Sequence, residues 1–278
     1  LKGEFSSIAQ DIIDIGSSAG GARAKAVIGW NRQTNQVVSG QFDVPEGFEH
    51  WLLKFDVGAD GELGTSAGFG RVEYAHYLMA TAAGIEMNEC RLLEEGNRAH
   101  FMTRRFDRDG NQKLHAQSLC GLMHLDFNMP YVHSYDQYLR TVLGLRLGAD
   151  ALEQAWARCA FNIAIVNCDD HTKNLGFLMD SSGQWRLAPA YDTCFAHNPG
   201  EGKWTRWHQM QVGGKKWEIS AEDLLQLAKT YDIRRARELL QQIREAVTLW
   251  PEFAATAGVG EAETQRIATL QPGWAKLG

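Results

Sequence analysis

Asn167-Cys168-Asp169-Asp170-His171-Thr172-Lys173-Asn174 follows the apolar run 161–166 and gathers two carboxylates, an imidazole and an amide within six residues. These residue types form helix and strand poorly, so the stretch reads as a turn that closes after a buried segment. Asp169 and Asn174 stand five residues apart, the interval of a kinase catalytic loop, in which the Asp takes a substrate hydroxyl proton and the Asn holds metal. Asp192, in Ala190-Tyr191-Asp192, can supply a second metal carboxylate. Two readings compete with this one: a helix cap leading into a turn, and a metallohydrolase site ligated by Asp169, Asp170 and His171. The latter lacks a second His-rich stretch.

Working outward, residues 174–179 and 185–188 read as a hairpin around Asp180-Ser181-Ser182-Gly183, with Asn174 on one side and Asp192 beyond the other. Helical spacing over 135–145, 151–165, 221–230, 234–250 and 260–269 makes the second half a helical lobe. Upstream, residues 25–30 and 51–55 read as strands, 91–93 and 100–104 as a pair around the turn Glu94-Glu95-Gly96-Asn97, and 72–83 as one helix ended by Gly84. The expectation is a small, mostly antiparallel lobe over 1–108 and a larger helical lobe over 109–278, with a cleft-forming hinge near 106–110.

Within the first lobe, Ser17-Ser18-Ala19-Gly20-Gly21-Ala22-Arg23 is a small-residue loop whose backbone N–H groups can approach phosphate, or else a hairpin turn. It is not a Walker A loop, because no Gly-Lys-Ser/Thr follows. Lys54, in Trp51-Leu52-Leu53-Lys54-Phe55, is either an edge-strand lysine facing water or a phosphate ligand. Glu73 favours the second, since kinases fix a strand lysine with a helix glutamate. Arg104-Arg105-Phe106-Asp107-Arg108 is a basic turn with Phe106 toward the core. Trp204, Trp207 and Trp217, with Lys203, Arg206, Lys215 and Lys216, form a basic aromatic stretch; such a mixture can stack and pair with nucleic acid, but the commoner arrangement, core tryptophans with exposed lysines on a hairpin around Gly213-Gly214, is expected here. His171 and Lys173 lie close enough in sequence to Asp169 to reach a bound phosphate, and either can equally face water.

Composition narrows the class. The chain has 278 residues, 44% hydrophobic, ample for a packed core. Its 34 acidic and 28 basic side chains leave a charge of -6, unlike a protein that holds nucleic acid directly. Five scattered cysteines without a C-x-x-C pair argue against a disulfide framework or zinc site and for a reducing cytoplasm. No apolar run reaches membrane-spanning length, and the opening residues lack a signal-peptide core.

Five ordered stretches together carry a resemblance: Ser18-Ala19-Gly20-Gly21-Ala22-Arg23-Ala24-Lys25, Trp51-Leu52-Leu53-Lys54-Phe55, Arg105-Phe106-Asp107-Arg108, the 167–174 loop, and Pro189-Ala190-Tyr191-Asp192. The chain resembles the HipA-like serine/threonine kinases, toxins of bacterial toxin-antitoxin modules, over nearly its whole length. The resemblance implies an α+β, two-lobed protein-kinase-like fold that binds ATP and Mg²⁺. It implies Lys54 and the Gly20, Gly21, Ala22 and Arg23 loop at the phosphates, Asp169 as base, and Asn174 and Asp192 on the metal. Backbone groups near Arg104 and Phe106 would meet adenine, with Tyr191 beside it. Ser17 or Ser18 would be autophosphorylated, an aminoacyl-tRNA synthetase would be the protein substrate, and a DNA-binding antitoxin the partner. Two departures stand out. Family members carry a further N-terminal subdomain, whereas sixteen residues precede Ser17 here. Asp192 is followed by Thr193-Cys194 rather than Phe-Gly, which ends the analogy with ordinary activation segments. Alternatives left open are a small-molecule kinase and an inactive kinase-like subunit that holds an antitoxin.

Overall fold

A computed structural model of the chain describes residues 24–56, 66, 68–200 and 204–271. They fall into two compact units, one drawn from Leu1–Tyr74, Asn88–Lys113 and Ala257–Val259, the other from Ala75–Met87, Leu114–Thr256 and Gly260–Gly278.

In the first unit, β1 (Lys25–Trp30), β2 (Val37–Ser39), β3 (Glu49–Lys54), β4 (Cys90–Glu95) and β5 (Arg98–Arg104) form an antiparallel sheet in the order β2-β1-β3-β5-β4. Alternation along the strands decides its faces. Ala26, Ile28, Trp30, Trp51, Leu53, Phe55 and Met102 bury together on one side, with Ile28 opposite Trp51 in the register. Trp30 and Trp51 meet edge to face, ring centroids 5.4 Å apart. Side chains of this size contribute roughly 1.5–3 kcal/mol each on burial, so this layer holds the sheet together. Lys54, at the opposite parity, points to the other face, where helix α1 (Phe69–Ala82) reaches the sheet. A hairpin of β6 (Arg108–Asp109) and β7 (Gln112–Lys113) completes the unit.

Glu94 and Glu95, read above as turn residues, belong to β4; the turn is only Gly96-Asn97, with Gly96 left-handed at φ 62°. Helix α1 starts earlier than its spacing suggests because Gly68 and Gly70 disguise its first turn. A Cβ at position 70 would lie 2.0 Å from the Ala99 carbonyl oxygen, so glycine lets α1 press onto β5. Gly70→Ala should therefore destabilise the protein. The ~1 kcal/mol of helix propensity gained is smaller than an overpacking cost of about 1–3 kcal/mol. A higher melting temperature for the variant would contradict the close approach.

In the second unit, β8 (His115–Ser118), β10 (Gly176–Met179) and β11 (Trp185–Leu187) form an antiparallel sheet in the order β11-β10-β8. Around it lie α2 (Leu119–Met123), α3 (Tyr135–Gly144), α4 (Ala149–Ala164), α5 (Ala221–Thr230), α6 (Ala236–Thr248), α7 (Trp250–Ala257) and α8 (Glu261–Leu270), while β9 (His133–Ser134) pairs in parallel with β12 (Met210–Gln211). Helix α4 is buried all round from Ala155 onward, the mark of a central helix. Capping boxes start α3 (Ser134 with Gln137) and α5 (Ser220 with Asp223). The single helix expected over 234–250 is two: α6 stops at Thr248, and Pro251 sits in the first turn of α7, where its missing N–H is tolerated. The fold is α+β and kinase-like, as expected. Among the described residues no helix is long and apolar enough to cross a membrane.

Candidate active site

Helix α4 ends in a closure that aims the 167–174 loop. The Val166 N–H donates to the Ile163 carbonyl at 3.2 Å and the Asn167 N–H to the Asn162 carbonyl at 2.9 Å, a Schellman pattern. Val166 takes the left-handed position at φ 56°, normally left to glycine. A β-branched residue there costs about 1–3 kcal/mol. The strain is held by the burial of Val166 and by the Asn167 side chain, whose Nδ2 donates to Asn162 Oδ1 at 3.0 Å and to the Asp192 carbonyl at 3.2 Å.

The two adjacent aspartates have different surroundings. Asp170 is 1% exposed. Its carboxylate accepts from the Tyr135 hydroxyl at 2.9 Å and the Gln209 N–H at 2.7 Å, with His208 Nδ1 at 3.2 Å. Burial, reinforced by Asp170, pushes the Tyr135 phenol far above its usual range and keeps it a donor. Asp169 instead keeps 49% of its side chain exposed, with His171 Nε2 at 3.7 Å from Oδ1. Beside it, burial and then the two aspartates raise the Cys168 thiol well above its normal value, which leaves it unreactive. Asp170 is thus consumed in the interior, and among the described residues no three His, Cys, Asp or Glu side chains gather to hold a metal. The metallohydrolase reading fails on both counts.

Thr172–Asn174 is a single 3-10 turn. Asn174 Nδ2 donates to the Asp169 carbonyl at 3.0 Å. Asn174 and Asp192 line one small pocket with Arg158, Asn162, Asn167 and Tyr191. Its volume of about 10 Å³ suits one water or cation, not a nucleotide. An amide and a carboxylate on one small pocket fit Mg²⁺, which usually completes its octahedron with water and phosphate. Asp192 is itself left-handed at φ 52°. Tyr191 ties the pocket to the loop through a 2.6 Å bond from its hydroxyl to the Lys173 carbonyl, and burial followed by Asp192 raises its phenol.

Arg158 on α4 escaped the sequence reading. It is 5% exposed, donates from Nη1 to the Ala188 carbonyl at 2.7 Å, and has no partner for Nε or Nη2 among the described residues. It shares the pocket lining with Asp170 and Asp192. The available signal was Arg158 and Asn162, polar residues one turn apart in the otherwise apolar stretch 155–164 of this helix.

In the first unit, Lys54 and Glu73 are 7% and 4% exposed and form a direct ion pair. Lys54 is therefore not a water-facing edge lysine; its Nζ stands 5.5 Å from the Phe101 ring centroid. Burial, with Glu73 adding, pushes the nearby Cys90 thiol up to about 12. The Arg104 N–H already donates to the Glu89 carbonyl at 2.9 Å, and its own carbonyl accepts from Asn88 Nδ2 at 3.0 Å. Phe106 is half-buried. The basic turn is a charge clamp: Asp107 accepts from Arg105 Nε at 2.8 Å and Nη2 at 2.6 Å, and from Arg108 Nη1 at 2.8 Å. Burial would raise the Asp107 carboxyl, but the two arginines bring it below its usual range. Ser17, Ser18, Gly20, Gly21, Ala22 and Arg23 lie outside the described residues.

The profile of the HipA-like C-terminal domain family matches residues 17–250. The chain belongs to that family. The HipA-like chain is similar to the solved structure of the Shewanella oneidensis MR-1 toxin-antitoxin system HipA, HipB and operator DNA complex, with a TM-score of 0.65 and 16% identity over 91% of this chain and 62% of that one. At that identity the likeness concerns the fold, and the HipA-like chain spans under two thirds of the length of that relative. The Helicobacter pylori proinflammatory kinase CtkA is similar at a TM-score of 0.47 and 14% identity, over 79% of this chain and 92% of that one. No curated protein matches the sequence.

Proposed function

We propose that this HipA-like chain transfers the γ-phosphoryl group of ATP to a serine or threonine hydroxyl of a protein. The observation that carries the proposal is the contrast within one short loop. Asp169 is half-exposed while Asp170 is buried and fully engaged, and Asn174, bonded to the Asp169 carbonyl, lines the same small pocket as Asp192. Asp169 accepts the hydroxyl proton. Asn174 and Asp192 would hold Mg²⁺, which supplies positive charge to the phosphates when bound. Lys54, fixed by Glu73, donates to the nucleotide phosphates, and its burial strengthens that contact. His171, 3.7 Å from Asp169, would contact a phosphate there.

The wider reading follows the family. It comprises a cytoplasmic enzyme, an aminoacyl-tRNA synthetase as substrate, autophosphorylation at Ser17 or Ser18, and a DNA-binding antitoxin as partner, as the similar HipA is found with HipB. The test is incubation with Mg-ATP, with and without cell lysate, followed by intact-mass measurement and radiolabel detection. Phosphate gained by this chain or by a lysate protein supports the proposal. Label found only in small molecules would replace it with a small-molecule kinase, and no transfer under any condition would leave a kinase-like binding subunit.

A further inference from the structure

Beside Asp169 the second unit presents a surface made from residues 126–133 and 204–217. The first stretch is a closed loop: the Asn128 N–H donates to Asp126 Oδ1 at 2.9 Å, and His133 Nε2 lies 2.9 Å from the Asp126 carbonyl. The second is anchored to the buried Asp170 through His208 and the Gln209 N–H. The pairing of Met210 with His133 and a 2.6 Å bond from Gln211 Nε2 to the Tyr131 carbonyl join the two. The side chains at the candidate base and this surface are therefore set by one framework.

Its chemistry is cationic and aromatic. Lys216 Nζ lies 4.1 Å from the Trp207 ring centroid and 5.1 Å from that of Tyr131, and the Arg206 guanidinium stands 4.6 Å from Trp207. Nearer the base, Lys173 Nζ is 4.2 Å from the Phe127 ring, which lies 6.5 Å from the ring of His171. Lys215 is neutralised by Asp223. Lys173, Arg206 and Lys216 have no carboxylate partner among the described residues. Met129 and Val132 in the first stretch are each 52% exposed, and Trp204 and Trp217 in the second, expected from the sequence as core tryptophans, are instead 42% and 38% exposed, Trp217 stacking on the His197 ring rather than entering the core. Three uncompensated cations on a chain of net charge -6 mark a local reversal of field, which selects an acidic partner. Nucleic acid would need open aromatic faces for base stacking, whereas Trp207 already carries two cations. Carboxylates can pair with the cation heads while apolar neighbours cover Met129, Val132 and Trp204.

We infer that this surface docks the polypeptide substrate, reading acidic residues interspersed with apolar ones near the target hydroxyl. The inference rests on the kinase reading and adds the class of sequence it accepts. The test uses the full chain, the double variant R206E/K216E, and serine peptides with acidic, neutral or basic flanks. Fluorescence anisotropy without ATP measures docking separately from catalysis. The double variant should bind the acidic peptide about tenfold or more weakly, raise KM by the same factor, leave kcat and the KM for ATP unchanged, and gain affinity for the basic peptide. Equal loss for neutral and acidic peptides, or no loss, overturns the inference. So does binding of a single-stranded oligonucleotide at this surface in place of the peptide. A chain that binds the acidic peptide with this charge dependence but transfers no phosphate would keep the docking surface and remove the kinase reading.

Discussion

Asp169→Asn should lower kcat for phosphoryl transfer by about 10²–10⁴-fold, the usual contribution of a positioned base, with ATP affinity and folding stability preserved. The side chain is half exposed. His171 Nε2 stands 3.7 Å from its carboxylate, and the loop geometry rests on its backbone: the N–H donates to Asn167 Oδ1 at 3.3 Å and the carbonyl accepts from Asn174. An amide of equal size keeps those bonds but cannot take a proton. The change in unfolding free energy should stay within roughly 0.5 kcal/mol, as for exposed positions generally. Single-turnover transfer and calorimetric nucleotide titration separate the two effects. Undiminished transfer would remove Asp169 from the role of base.

The neighbouring residue should behave in the opposite way. Asp170→Ala is expected to destabilise the fold by about 3–5 kcal/mol, the range for removing one partner of a buried charged network. The substitution strands a hydroxyl, an imidazole and a backbone N–H in the interior, from Tyr135, His208 and Gln209. Each buried group left without a partner costs about 1–3 kcal/mol, and because the three share one acceptor the losses do not simply add. Against a typical stability of about 5–15 kcal/mol this is a large fraction. Urea unfolding followed by circular dichroism would report it. A variant as stable as the parent would mean that these contacts contribute little.

Strand and helix positions were legible wherever alternation or helical spacing was strong, as in 25–30 and 221–230, which match β1 and α5. Legibility failed where one residue type carries two meanings. The helix expected from residue 72 begins before Gly70, a glycine that is a close helix-sheet contact, and Trp250 closes the run expected as one helix although it begins a new one, with Pro251 in its first turn. The catalytic-loop spacing picked out Asp169, Asn174 and Asp192, of which the last two line one pocket. It chose Asp169 over Asp170 by the interval to Asn174 alone and gave no sign that Asp170 is buried, because that burial comes from Tyr135, His208 and Gln209, remote in sequence. Arg158 was hidden for the same reason: its significance lies in what surrounds it, not in its spacing.

The Asn167 side chain spans from the end of α4 to the carbonyl of Asp192. Two segments distant along the chain are thereby fastened to one buried amide. Backbone amides around 167–170 and 192–196 should then exchange with deuterated solvent as one cooperative block, so local opening would release Asp169 and Asp192 together.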